Sequence, residues 1–185
     1  MGRAPAEEHR VVAATFSDRV RGTADWDALA PVDGWTARDV IRHLVEWFPA
    51  FLEGGAGIEL PAGPSVDDDP VGAWRVQTDA IQALLDDPAT ADAELSNRHV
   101  GVVPLDRAID MFYTSDVFLH TWDLARATGQ DETLDPEKCA VMLAGMEPMD
   151  EVLRASGQYG PKVPVPADAD VQTRLLGFIG RDPLG

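Results

Sequence analysis

The sequence holds a single cysteine, Cys139. One thiol cannot close an intramolecular disulfide, so nothing here calls for an oxidising compartment. Basic charge is scarce too: 15 Lys and Arg stand against 32 Asp and Glu, for a formal net charge of −17. A surface this acidic repels polyanions, which argues against nucleic acid and against anionic membranes as partners. No apolar run approaches the ~18 residues of a membrane-spanning helix. The first ten residues, MGRAPAEEHR, lack the apolar centre of a signal peptide. The scattered glycines of residues 54–63 lack phosphate-loop order, and no Lys-Ser or Lys-Thr follows them. No Ser-His-Asp order stands out either. With these absences the expectation is a soluble cytoplasmic protein.

What is present is an ordinary globular balance, 45% apolar and 25% charged, over 185 residues. That suits one domain spanning 1–185 with a proper core. Val12, Phe16 and Val20 recur every four residues and predict a first helix over 6–21. Thr36 followed by Asp39 is a capping box with Asp in place of Glu, so a second helix starts at Ala37. Its inward stripe reads Val40, His43, Leu44, Trp47, Phe51, and Pro49 is expected to kink or end it. Residues 54–69 read as a loop. Asp69-Pro70 opens a third helix over 70–87, ended by Pro88. Residues 93–104 predict one small β hairpin. A long fourth helix over 105–128 stops at Gly129. A fifth runs over 136–155 with a kink at Pro148, and VQTRLLGFI is a short last helix. The class is all-α, an up-and-down four-helix bundle with a small β hairpin and extra C-terminal helices.

Chemistry concentrates on the fourth helix, in TSDVFLHTWDLARATG. Asp116 and His120 are four residues apart, so both leave the helix on one face, which Ile109 and Phe112 mark as inward. A carboxylate and an imidazole there need partners, because burying an isolated charge is very costly. His43, on the apolar stripe of the second helix, offers one. Two imidazoles and a carboxylate suit a divalent metal: Zn first, with Ni or Fe as alternatives. Three protein ligands leave positions open for water or substrate. The same spacing also arises from a simple hydrogen-bonded pair with satisfied core histidines.

The words around these residues add a family. GWTARDVIRHLVEW, followed about 70 residues later by DVFLHTWDLARATGQ, and the tail YGPKVPVPADADVQTRLLGFIGRDP resemble the actinobacterial branch of the DinB-like superfamily. That branch includes mycothiol-dependent maleylpyruvate isomerase. The resemblance covers nearly the whole chain. It implies a four-helix bundle with a metal on His43, Asp116 and His120, a thiol cofactor such as mycothiol, and a homodimer. The isomerase has Glu at the position of Asp116 and a second, C-terminal domain for which this chain has no counterpart. The bundle and metal set are therefore implied, and the specific isomerisation is not.

Other residues carry two readings each. His9 lies on the first helix's apolar stripe and reads as core, with a place at the pocket as the alternative. His99 in the hairpin reads as exposed. Asp123 is either an acceptor for a ligand imidazole or a surface acid, with Arg126 as a surface partner. Arg75 and Arg181 could clamp a cofactor or substrate carboxylate, though exposed arginines are commoner. Cys139, among Ala, Val, Met and Leu, reads as a buried small hydrophobe. Trp35, Trp47, Trp74, Phe112 and Trp122 read as core or as the wall of an apolar pocket. The expectation is a metal-dependent enzyme in which the metal activates a thiol for transfer or isomerisation. Metal-dependent hydrolysis and a non-catalytic ligand-binding bundle are the alternatives.

Overall fold

A computed structural model describes residues 3–98 and 100–185. His99 falls outside the described residues. The chain is mostly helical, with one two-stranded antiparallel hairpin. It forms two compact units, residues 1–131 and 132–185.

The first unit contains α1 (Pro5–Gly22), α2 (Ala37–Ala56), α3 (Pro70–Asp86), β1 (Glu94–Asn97) and β2 (Gly101–Pro104). It continues with α4 (Leu105–Ala108), a π-helical segment (Ile109–Thr114) and α5 (Ser115–Thr128). α1 packs on α3 and α5, and α2 packs on the same two helices, so four helices close a ring around one core. Phe16, Ile41, Leu44, Phe48, Trp74, Ile81, Tyr113 and Trp122 are fully buried there. Each such side chain contributes roughly 1.5–3 kcal/mol by leaving water. In the hairpin, Leu95 pairs with Val103 and is the buried residue of β1.

Local signals set the ends. Asp69 caps α3 by accepting from the Gly72 N–H, with Pro70 at the first helical position. Thr36 and Asp39 close the expected box: the Thr36 N–H donates to Asp39 Oδ2 at 2.9 Å, and the Asp39 N–H donates to Thr36 Oγ1 at 3.4 Å. Thr36→Ala should cost about 1 kcal/mol of stability in denaturant titration, since it orphans a helix N–H. An unchanged midpoint would refute the cap's role. The backbone N–H of Thr36, then its hydroxyl, hold the Asp39 carboxyl below the usual carboxylate range. Its folded value is thus lower than its unfolded one. The stabilisation is complete above the ordinary Asp value of about 3.9 and is lost as pH falls through the lowered one.

Of the two outcomes expected at Pro49, a kink or an end, the end does not occur: α2 continues to Ala56 and stops at Gly57 in the left-handed region, φ 67°. The fourth helix is not uniform. A π turn over Ile109–Thr114 interrupts it, with the Ser115 N–H bonded to Asp110 O, five residues back. The wider turn inserts a residue, so the 3.6 period does not run unbroken through this stretch; Ile109 is nonetheless buried, and Phe112 meets Phe51 of α2.

The second unit holds α6 (Pro136–Met146), a 3₁₀ turn (Glu147–Met149), α7 (Asp150–Ala155) and α8 (Val171–Ile179). The helix expected over 136–155 is thus divided at Pro148, which lacks the N–H a continuous helix would use. α6 packs on α8. Cys139 is fully buried on α6, and its thiol is pushed up to about 11 by burial and by Asp135 and Asp170. It is a packed small hydrophobe, not a nucleophile. No helix among the described residues is long and apolar enough to cross a membrane.

Candidate metal centre

The centre of α2's buried face runs through Val40, Ile41, Leu44, Phe48 and Leu52. His43 and Trp47 lie at its border, half-buried. That placement matters, because a side chain at the edge of the core can face both a partner helix and solvent. The partner is α5, which is buried from Val117 through Ala125.

Between these helices the three expected ligands meet. One ligand atom from each of His43, Asp116 and His120 lies within 4.8 Å of the others. His43 Nε2 is 2.9 Å from Asp116 Oδ2, and His120 Nε2 is 3.4 Å from Oδ1. The imidazole rings are 4.9 Å apart, edge to face. Side-chain exposure falls from 31% at His43 to 24% at Asp116 and 6% at His120, so the set opens to solvent from the His43 side. Burial opposes ionisation of Asp116 more than any other single influence. The imidazoles of His120 and His43 and the Trp47 N–H together outweigh it and hold the carboxyl below its ordinary value. The centre therefore presents a carboxylate, the form a cation requires.

Asp123 resolves in favour of the inward reading. It is buried, and His120 Nδ1 donates to its Oδ2 at 2.8 Å. A carboxylate only accepts, so Nδ1 carries a proton, which leaves Nε2 as the ring nitrogen that a cation would use. Arg126 lies over the Trp122 ring, 5.3 Å from its centroid.

Two tryptophans border the set. Trp35 sits in the connection from α1 to α2, just after Gly34, whose φ of 75° provides the turn. Its ring lies nearly parallel to His120, at 5.7 Å and 17°, and is 5.1 Å from His43. Trp47 donates its indole N–H to Asp116 Oδ2 at 3.0 Å. By helical spacing alone Trp47 reads as plain core or pocket wall. The available signal was its i, i+4 spacing from His43 together with an N–H that needs an acceptor when buried.

The remaining candidates lie elsewhere. His9 is fully buried, with Nδ1 bonded to Gln82 Oε1 at 2.8 Å and its ring stacked on Tyr113 at 6.2 Å. Burial pushes its imidazole down, so it is a neutral core residue. Arg75 is exposed on α3, and no hydrogen bond or ion pair among the described residues joins it to the ligand set. Trp74 points away toward α1, where its N–H donates to Ser17 Oγ at 2.8 Å. Arg181 belongs to the second unit, where its backbone N–H bonds Leu176 O at 2.9 Å.

Comparison with known proteins gives two relatives in Mycobacterium tuberculosis. Uncharacterized protein Rv0738, of strain ATCC 25618 / H37Rv, is 31% identical over 154 residues, covering 82% of each chain. Uncharacterized protein MT0763, of strain CDC 1551 / Oshkosh, matches to the same extent. No family model matches the chain. No solved structure matches it either.

Proposed function

The chain belongs to the family of these mycobacterial proteins, and we propose that it is a metal-dependent enzyme of DinB-like architecture using a small thiol of the mycothiol type as co-substrate. One observation carries the reading: two imidazoles and a carboxylate, from two helices, with ligand atoms within 4.8 Å of one another. In a tetrahedral site with bonds of about 2.0–2.2 Å, ligand atoms sit ~3.3–3.6 Å apart, so a set whose atoms lie within 4.8 Å of one another closes by at most about 1.5 Å on binding. The donor chemistry fits Zn²⁺, with Ni²⁺ or Fe²⁺ next. When bound, such an ion acts as a Lewis acid that acidifies a coordinated thiol or water and polarises a carbonyl.

The chain's own residues do the rest. Asp123 holds the proton of His120 at Nδ1 and aims Nε2 at the centre, the carboxylate–histidine pairing that raises ligand basicity. Asp116 is the one anion among the three ligands, so a divalent ion held there would keep a positive charge toward a thiolate or anionic substrate, offset in part by Asp123 behind His120, inside a chain of charge −17. The indole of Trp35 covers both imidazoles and limits water there. The half-buried His43 edge is the way in.

Titrating mycothiol into the Co²⁺-substituted protein tests this directly. A new near-ultraviolet charge-transfer band is the expected mark of thiolate on the metal. Its absence at saturating thiol overturns the thiol reading and leaves water chemistry at the same site.

A further inference from the structure

The Asp116 carboxylate is held unevenly. Among the described residues, Oδ1 meets only His120 Nε2, at 3.4 Å. Oδ2 carries two close neighbours, His43 Nε2 at 2.9 Å and the Trp47 indole nitrogen at 3.0 Å. The indole can only donate, and it cannot ligate a metal. The imidazole is different: as a ligand it must present its lone pair, so its hydrogen bond to Oδ2 ends when a cation arrives. Trp47 is then the neighbour that keeps hold of Oδ2.

The indole has little freedom to let go. Its ring packs against Phe48 at 5.1 Å, Phe51 at 5.8 Å and Tyr113 at 6.4 Å, and lies near-parallel to His43 at 6.1 Å. Phe48 and Tyr113 are themselves fully buried and stacked at 4.6 Å. The N–H is therefore aimed at Oδ2 by the core and does not depend on the carboxylate for its direction.

We propose that Trp47 is a positioning residue for the metal centre: its indole N–H holds Oδ2 of Asp116 and fixes the orientation of the carboxylate so that it meets the metal through a single oxygen. This rests on the metal reading above. Its consequence is chemical. A two-oxygen carboxylate would fill one of the positions that thiol and substrate need; a one-oxygen carboxylate leaves it open.

The test compares metal-free wild type, Trp47→Phe, Trp47→Gln and His120→Ala by Co²⁺ titration, with folding of each checked by circular dichroism. Phe keeps the aromatic packing and removes the N–H; Gln returns an N–H donor. Wild type should bind one equivalent with the intense visible bands of low coordination number. Trp47→Phe should bind about tenfold more weakly, in the range for loss of an outer-shell partner, with weaker bands as the second oxygen joins. Trp47→Gln should recover part of both. A Phe variant with wild-type affinity and band intensity overturns the role of Trp47. So does a Gln variant that recovers nothing, since the loss would then be packing. In wild type itself, Zn²⁺-induced infrared difference spectra should show the wide carboxylate splitting of one-oxygen binding; a narrow splitting overturns the proposal without any mutation. Wild type that fails to bind an equivalent of Co²⁺, like His120→Ala, overturns the metal centre instead, which separates the two failures.

Discussion

His120→Ala should reduce bound metal, in protein purified without a metal-affinity column, from about one equivalent to less than about a tenth, because two ligands do not hold a divalent ion that needs three. His120 is the most buried of the three ligands and the only one with a buried carboxylate behind it. Its removal therefore takes away a nitrogen already oriented for binding and leaves Asp123 buried without that imidazole. The expected loss exceeds that of Trp47→Phe, which removes a partner of a ligand and not a ligand. Elemental analysis checks it. Substoichiometric metal in wild type, unchanged in the variant, would sink the metal reading and leave a hydrogen-bonded His-Asp-His cluster in a non-catalytic bundle.

Phe48→Ala should destabilise the first unit by about 3–5 kcal/mol, the usual cost of deleting a fully buried aromatic ring. Phe48 has no exposed surface. Its ring stacks on Tyr113 and meets Trp47 edge to face. Truncation leaves a cavity where α2 packs against the π segment, and neither neighbour can collapse into it without moving the indole that bonds Asp116. All five tryptophans lie within residues 1–131, so tryptophan fluorescence during urea unfolding reads this unit alone. The midpoint should fall with little change in slope. A loss under about 1 kcal/mol would mean that the site refills, contrary to the packing described.

The two variants probe different levels. One removes a ligand and should leave the bundle folded. The other weakens the bundle and should lower metal affinity only through the packing of Trp47.

Much of this was legible one helix at a time. The i, i+4 relation of Asp116 and His120, the apolar stripe carrying His43, and the caps at Thr36 and Asp69 all act within a single element. Each is a local rule of period or of an unsatisfied N–H, so composition and spacing suffice to read it. The hairpin over 94–104 is local in the same sense.

Other features depend on how one helix is rotated against the next, and no period within a helix specifies that. Asp123 could have faced water; its burial against His120 follows from α5 being enclosed along most of its length. Trp47 could have been plain core; its N–H reaches Asp116 only because α2 sets that border of its buried face against α5. The π turn at Ile109–Thr114 has no signature in the sequence either: no Gly or Pro breaks the helix there, and the extra residue shows only in the folded chain. The sequence by itself determined which three side chains could share a cation. Only the tertiary structure decided which nitrogen of His120 meets a buried carboxylate, which oxygen of Asp116 the Trp47 indole holds, and from which side the set meets water, because those depend on how the helices are enclosed and set against one another.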